Sequence, residues 1–195
     1  VLATIIGTML AIALWRFRFP GKPFMEALNG LPIVIPEISL GVAMMIFFNK
    51  ISFPQDLTWP LNLLPIIISH VAFCFPFVTL VVRARLNGFD RSLEEAAFDL
   101  GANTWQVFRD VLIPYLKPAL IAGGLLAFTL SLDDFVITFF TSTVGSTTLP
   151  VKIYSQVRMS VKPDVNAAFT VLIVITASIA IIAAVYLNKM QKRKS

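Results

Sequence analysis

An all-α integral membrane protein is what this sequence predicts, on three observations. Its 195 residues are 57% apolar and only 14% charged, with a mean hydropathy of +0.81, more hydrocarbon than a soluble core of this size needs. The apolar residues fall in five long runs separated by polar segments. Most of the basic residues then flank those runs on one side of a plane, as membrane topology requires.

The first run, residues 1–15, ends at Arg16, Arg18 and Lys22, which marks an exit on the cytoplasmic side. It is shorter than the roughly 20 residues that cross a bilayer, and Val1 begins in mid-run, so a sixth, preceding span is expected. The second span is 24–48, kinked by Pro32 and Pro36. An outer connection from Asn49 to Pro60, with Lys50, Asp56 and Trp59, leads to a third span, 61–82. Residues 83–118 form a large cytoplasmic loop. The fourth span, 119–141, carries Ala119, Gly123 and Ala127 as a stripe of small residues that admits a neighbouring helix. Residues 142–164 are external, with a Gly145-Ser146 turn and a short segment around Tyr154. The last span, 165–187, leaves Lys189, Lys192, Arg193 and Lys194 in the cytoplasm. Twelve of the 16 Lys and Arg lie on the inner side.

Charge and motifs exclude several function classes. The net charge of +5 is distributed beside spans rather than on one patch, which argues for topology and against nucleic acid. Cys74 and His70 are each the sole residue of their kind, so no disulfide framework or clustered metal site is expected. No G-x-x-x-x-G-K-[ST] phosphate loop is present, so ATP and its Mg²⁺ belong on another chain and this one binds no cofactor.

Within the loop, Ser92 and Glu95 have the spacing of a capping box. Leu93, Ala96, Ala97 and Leu100 make one apolar face, and Gly101 stops the helix. Asn103 starts a second helix, with Gln106 three residues on, until Pro114 and Pro118 break it. Two short helices joined by a glycine elbow result. Glu95-Ala96-Ala97, then Gly101, then Val111, Ile113 and Pro114 resemble the EAA loop of ABC importer permeases, E-A-A, three residues, G, nine residues, I-x-L-P. Val111 and Ile113 are conservative departures. The resemblance implies the type I importer permease fold, with six spans and the loop between the fourth and fifth, docked into a groove of the ATP-hydrolysing subunit.

Charged groups in hydrocarbon cost roughly 2.5 to 3.5 kcal/mol on insertion scales and mark function by default. Glu37, Asp133 and Asp134 qualify, at about 20 Å from the inner ends of their spans at 1.5 Å per residue. Ser131, Asp134, Thr138 and Thr141 fall on one side of a continuous helix, with Asp133 on a flank beside Thr129 and Phe140. Such a stripe suits a water-lined path; the alternative is that these carboxylates pair within the assembly or are protonated by desolvation. No Lys or Arg lies inside the four complete spans, which suits a cationic cargo and argues against sulfate, phosphate or molybdate. Phe135, Phe139 and Phe140 either add cation–π contacts or face lipid.

The stretch SLDDFVITFFTSTVGSTTLPVKIYSQVRMSVKPDVNA, with RFPGKPF near the start, resembles the second permease of bacterial spermidine/putrescine importers across essentially the whole chain. That resemblance implies an inner-membrane location, a homologous permease as heterodimer partner, an ATP-binding subunit dimer and a periplasmic substrate-binding protein. The alternative that the resemblance leaves open is the same machine importing another small amine, an opine or an aminoalkyl phosphonate. A secondary transporter is the rival of another class, for which no inverted repeat is visible.

Overall fold

The structure, a computed structural model, describes residues 1–54, 60–143, 145–159 and 163–192. Asp56, Trp59, Arg193 and Lys194 of the sequence reading lie outside the described residues. The described chain is helical: α1 (Leu2–Arg16), α2 (Lys22–Val34), α3 (Glu37–Lys50), a 3₁₀ turn (Leu61–Leu63), α4 (Leu64–Leu86), α5 (Ser92–Asp99), α6 (Thr104–Gln106), a π turn (Val107–Leu112), α7 (Ile113–Asp133), α8 (Val136–Thr141), α9 (Leu149–Met159) and α10 (Pro163–Lys192). Two continuous helical stretches, Leu61–Leu86 and Thr104–Asp133, are long and apolar enough to cross a membrane, and a third crossing results if α2 and α3 count as one. Leu2–Arg16 and Thr170–Ile182 are shorter apolar helices. The five expected spans are thus only partly met by length and hydropathy among the described residues.

Three expected boundaries move. The second span is broken rather than kinked, because Ile35 precedes Pro36 and takes an extended conformation (φ −70°, ψ 132°) that a following proline ring favours. The second loop helix is not stopped by Pro114. It widens into the π turn and runs on as α7, since a π turn accommodates the hydrogen bond that Pro114 cannot donate. The fourth span is interrupted at Asp134 and Phe135, for a reason given below.

The chain divides into two compact units. One comprises Val1–Pro36 and His70–Ser131, the other Glu37–Ser69 and Leu132–Ser195. In the first, α1, α4 and α7 meet through small residues. A Cβ added to Gly7 would stand 2.6 Å from the Phe75 carbonyl oxygen and 2.8 Å from Val78 Cβ, so only glycine permits this approach. Thr79 Oγ1 donates to the Gly7 carbonyl at 3.1 Å, binding the two backbones where they are closest. Ala119, Gly123 and Ala127 are buried, with Gly123 against Val78 and the Ala127 carbonyl accepting from Cys74 Sγ. The small stripe therefore does admit a helix, and that helix is α4. Leu14, Val82, Leu86, Leu112 and Leu116 complete this core. In the second unit α3 packs on α8, Gly41 facing Ile137 and Phe140. Large apolar side chains on the outside, among them Ile5, Met9, Phe24, Val171 and Ile182, are what a lipid-facing surface presents.

Candidate functional site

In the loop between α4 and α7 an aspartate precedes the first helix. Asp90 Oδ1 accepts the Ser92 amide at 2.9 Å, and this bond holds the Asp90 carboxyl below its usual range. Asp90 thus starts α5, and the expected Ser92–Glu95 capping box does not form: α5 has no side-chain cap at its first residue and Arg91 occupies the capping position. Asn103 behaves as expected. Its Oδ1 accepts the Gln106 amide at 2.9 Å while Gln106 Oε1 accepts the Asn103 amide at 2.7 Å, a complete reciprocal cap. Between the helices Gly101 adopts φ +85°, with open space where a Cβ would be. The elbow needs glycine for its backbone conformation, not for room.

The apolar face of α5 is turned outward. Leu93 is 48% and Leu100 89% exposed, Ala96 is exposed and Ala97 half-buried. The buried residue of α5 is instead Glu94, whose Oε1 accepts from Arg16 Nη1 at 2.7 Å. Glu95, next in sequence, is exposed. Beyond the elbow Val111 and Ile113 are half-buried and Pro114 exposed, while Leu112 is buried at 1%. Trp105 is 65% exposed and stacks on Phe108 at 5.5 Å, beside an apolar cavity of about 500 Å³ reached by Ile12 and Phe17. Arg109 and Asp110 form a solvent-exposed two-pronged pair at 2.7 and 2.9 Å. Their hydrogen bonds lower the Asp110 carboxyl and raise the Arg109 guanidinium from ordinary values.

The acids of the expected path gather in the second unit. Glu37 is the first residue of α3, close enough to Asp133 and Asp134 to feel their charges. Glu37 and Asp133 are exposed; Asp134 is 8% exposed. Asp134 lies in the break between α7 and α8, where Oδ1 accepts the Ile137 amide at 3.2 Å and Oδ2 accepts the Thr138 amide and hydroxyl, both at 2.9 Å. A carboxylate so placed competes with continuation of α7 and starts α8 afresh. The single polar stripe drawn on a continuous helix is therefore interrupted. Thr138 and Thr141 stay buried with Asp134, whereas the Ser131 hydroxyl lies 2.7 Å from His70 Nδ1 in the first unit. Phe135 packs on Tyr154 at 4.6 Å and on Phe139 at 5.4 Å.

Sequence reasoning missed Glu94, Asp90 and the pairing of Arg83 Nη2 with Glu26 Oε1 at 2.6 Å. In the sequence Arg16 and Arg83 are basic residues at the ends of apolar runs and report topology alone. Their partners lie 78 and 57 residues away, and no local pattern announces such pairs.

A sequence model of the binding-protein-dependent transport system inner membrane components matches residues 3–195. The chain belongs to this family. This inner membrane component is 40% identical to the putrescine transport system permease protein PotI of Escherichia coli K12, over 98% of its own length and 69% of that protein's. It is also 40% identical to the spermidine/putrescine transport system permease protein PotC of Escherichia coli K12, over 89% of its length and 64% of PotC's. A chain of the MetNI methionine ABC transporter, solved in inward-facing conformations, superposes on 96% of the inner membrane component with a TM-score of 0.72, 22% identity and 87% of its own length covered. The fold is thus that of a type I ABC importer permease, and the protein is a multi-pass inner membrane protein.

Proposed function

We propose that this chain is the permease subunit of an ATP-driven importer of polyamines, putrescine or spermidine. It works beside a homologous permease, two ATP-binding subunits that hold ATP and Mg²⁺, and an external receptor for the cargo, with its C-terminus in the cytoplasm. The observation that carries this reading is an exposed elbow of two helices, Ser92–Asp99 and Thr104–Leu112, on a chain 40% identical to a putrescine permease over 98% of its length.

The physical sequence starts at the ATPases. Their closure displaces the elbow, whose outward apolar side chains Leu93, Phe98 and Leu100 are the kind of surface that docks in a groove. Glu95 sits beside them at the rim, and Gly101 keeps the two helices at a fixed angle. The spans then rock between inward and outward access. Glu37 and Asp133 offer exposed carboxylates to an ammonium group, with Asp134 adding charge from behind while it holds α8 in place.

Gly101→Leu tests the coupling. A φ of +85° is costly for any branched side chain, so the variant is expected to assemble yet to lower putrescine uptake per ATP hydrolysed by roughly tenfold. The readout is uptake in proteoliposomes containing the whole importer; unchanged coupling would sink the mechanism, and absence of ATP-driven amine uptake by the unaltered importer would sink the function.

A further inference from the structure

We infer that the Arg16–Glu94 ion pair is the positioning contact that makes α1 follow the coupling loop, an inference that rests on the permease reading above. The loop is joined covalently to α4 on one side and to α7 on the other. α1 has no such connection to it, since Arg16 and Glu94 are separated by 78 residues. α1 also packs on α4 at Gly7, but its direct link to α5 is made by side chains.

The side chains present suit that task. Trp15 and Arg16, adjacent at the inner end of α1, meet Arg91, the residue that precedes α5, and Glu94 in its first turn. Arg91 lies over the Trp15 ring at 5.0 Å, and Arg16 Nη1 is 2.7 Å from Glu94 Oε1. The Glu94 side chain is 11% exposed and that of Arg16 34%, so the bond is largely withdrawn from water and is charge-assisted. Trp15 meets Phe89 edge-on at 5.6 Å, and Phe89 meets Tyr115 of α7 at 5.0 Å. The segment from Phe89 to Glu94, which leads into the first turn of α5, thereby grips both α1 and α7. Glu94 faces this grip while Glu95 is exposed, so the two neighbouring carboxylates divide the work between the inside of the loop and its docking side.

A purely structural pair and a transmitting pair differ in what their loss changes. In the complete importer reconstituted with its receptor, E94Q and R16Q are each expected to lower uptake per ATP hydrolysed by roughly tenfold, with the same amount of complex recovered. The double variant is expected to be no worse than either single one, because both remove the same contact. Reversal of the pair, R16E with E94R, should restore most of the ratio. An unchanged ratio in E94Q, or no recovery on reversal, would overturn the inference while leaving the permease reading standing. Failure of the unaltered importer to couple ATP to uptake would remove both.

Discussion

Glu94 in the loop between α4 and α7 and Asp134 between α7 and α8 are both buried carboxylates, and they are satisfied in opposite ways. Glu94 takes a guanidinium from 78 residues away, whereas Asp134 takes amides three and four residues ahead of it. A long-range partner fastens one element to another; local amides shape a single element and decide where it begins. The first arrangement suits a part that must move as a unit with its neighbour, the second a part that must hold its form.

The sharpest way to break this comparison is at Asp134. Asp134→Ala leaves the buried Ile137 and Thr138 amides without that acceptor and is expected to cost about 2 kcal/mol, seen as reduced yield and a lower unfolding temperature in detergent. Asp134→Asn keeps an oxygen for capping and is expected to assemble normally while losing putrescine uptake. A folded, fully active Asp134→Ala protein would erase the distinction. The two loop helices supply a smaller effect. Asn103→Ala removes one side of a complete reciprocal cap and should cost about 1 kcal/mol, while Ser92→Ala should stay within about 0.5 kcal/mol, since no cap bond from Ser92 is made. Equal destabilisation by the two would mean that Ser92 caps after all. Smallest is the pH response of Asp90. Its carboxyl is depressed in the folded state, so its contribution is complete above the ordinary aspartate value of 3.8 and fades only as pH falls through the lower folded value. Between pH 5 and 8, coupling by Asp90→Asn and by the unaltered chain should therefore follow the same profile.

Much of this was legible in the residues, and the exceptions share a cause. Apolar runs, the Gly101 elbow and the Asn103–Gln106 cap depend on neighbours in sequence, and spacing alone reveals them. The Ser92–Glu95 box failed because Asp90, two residues earlier, accepts the Ser92 amide that the Glu95 side chain would have taken, while the Glu95 amide bonds the Arg91 carbonyl. The break at Asp134 was hidden because helical periodicity continues through it, although the carboxylate diverts the amides that would have extended α7. Glu94 was hidden because an acid on a short amphipathic helix reads as its solvent side until Arg16 arrives from another helix. The small stripe on α7 could be read, but its partner α4 could not, since periodicity names a face and never what meets it.

The π turn at Val107–Leu112 has a further consequence. Thr104–Asp133 is one helical stretch of 30 residues, so the winding of its Thr104 end and the heading of its apolar portion are a single variable. Taking one residue out of the α turns that follow, 113–118, would swivel everything beyond it by about 100° and draw it in by about 1.5 Å, whereas the same loss inside the wide turn only restores an α turn. Leu120 and Phe128 would then stand where Ala119 and Ala127 are now buried, and the bundle itself thereby sets the phase of the shaft.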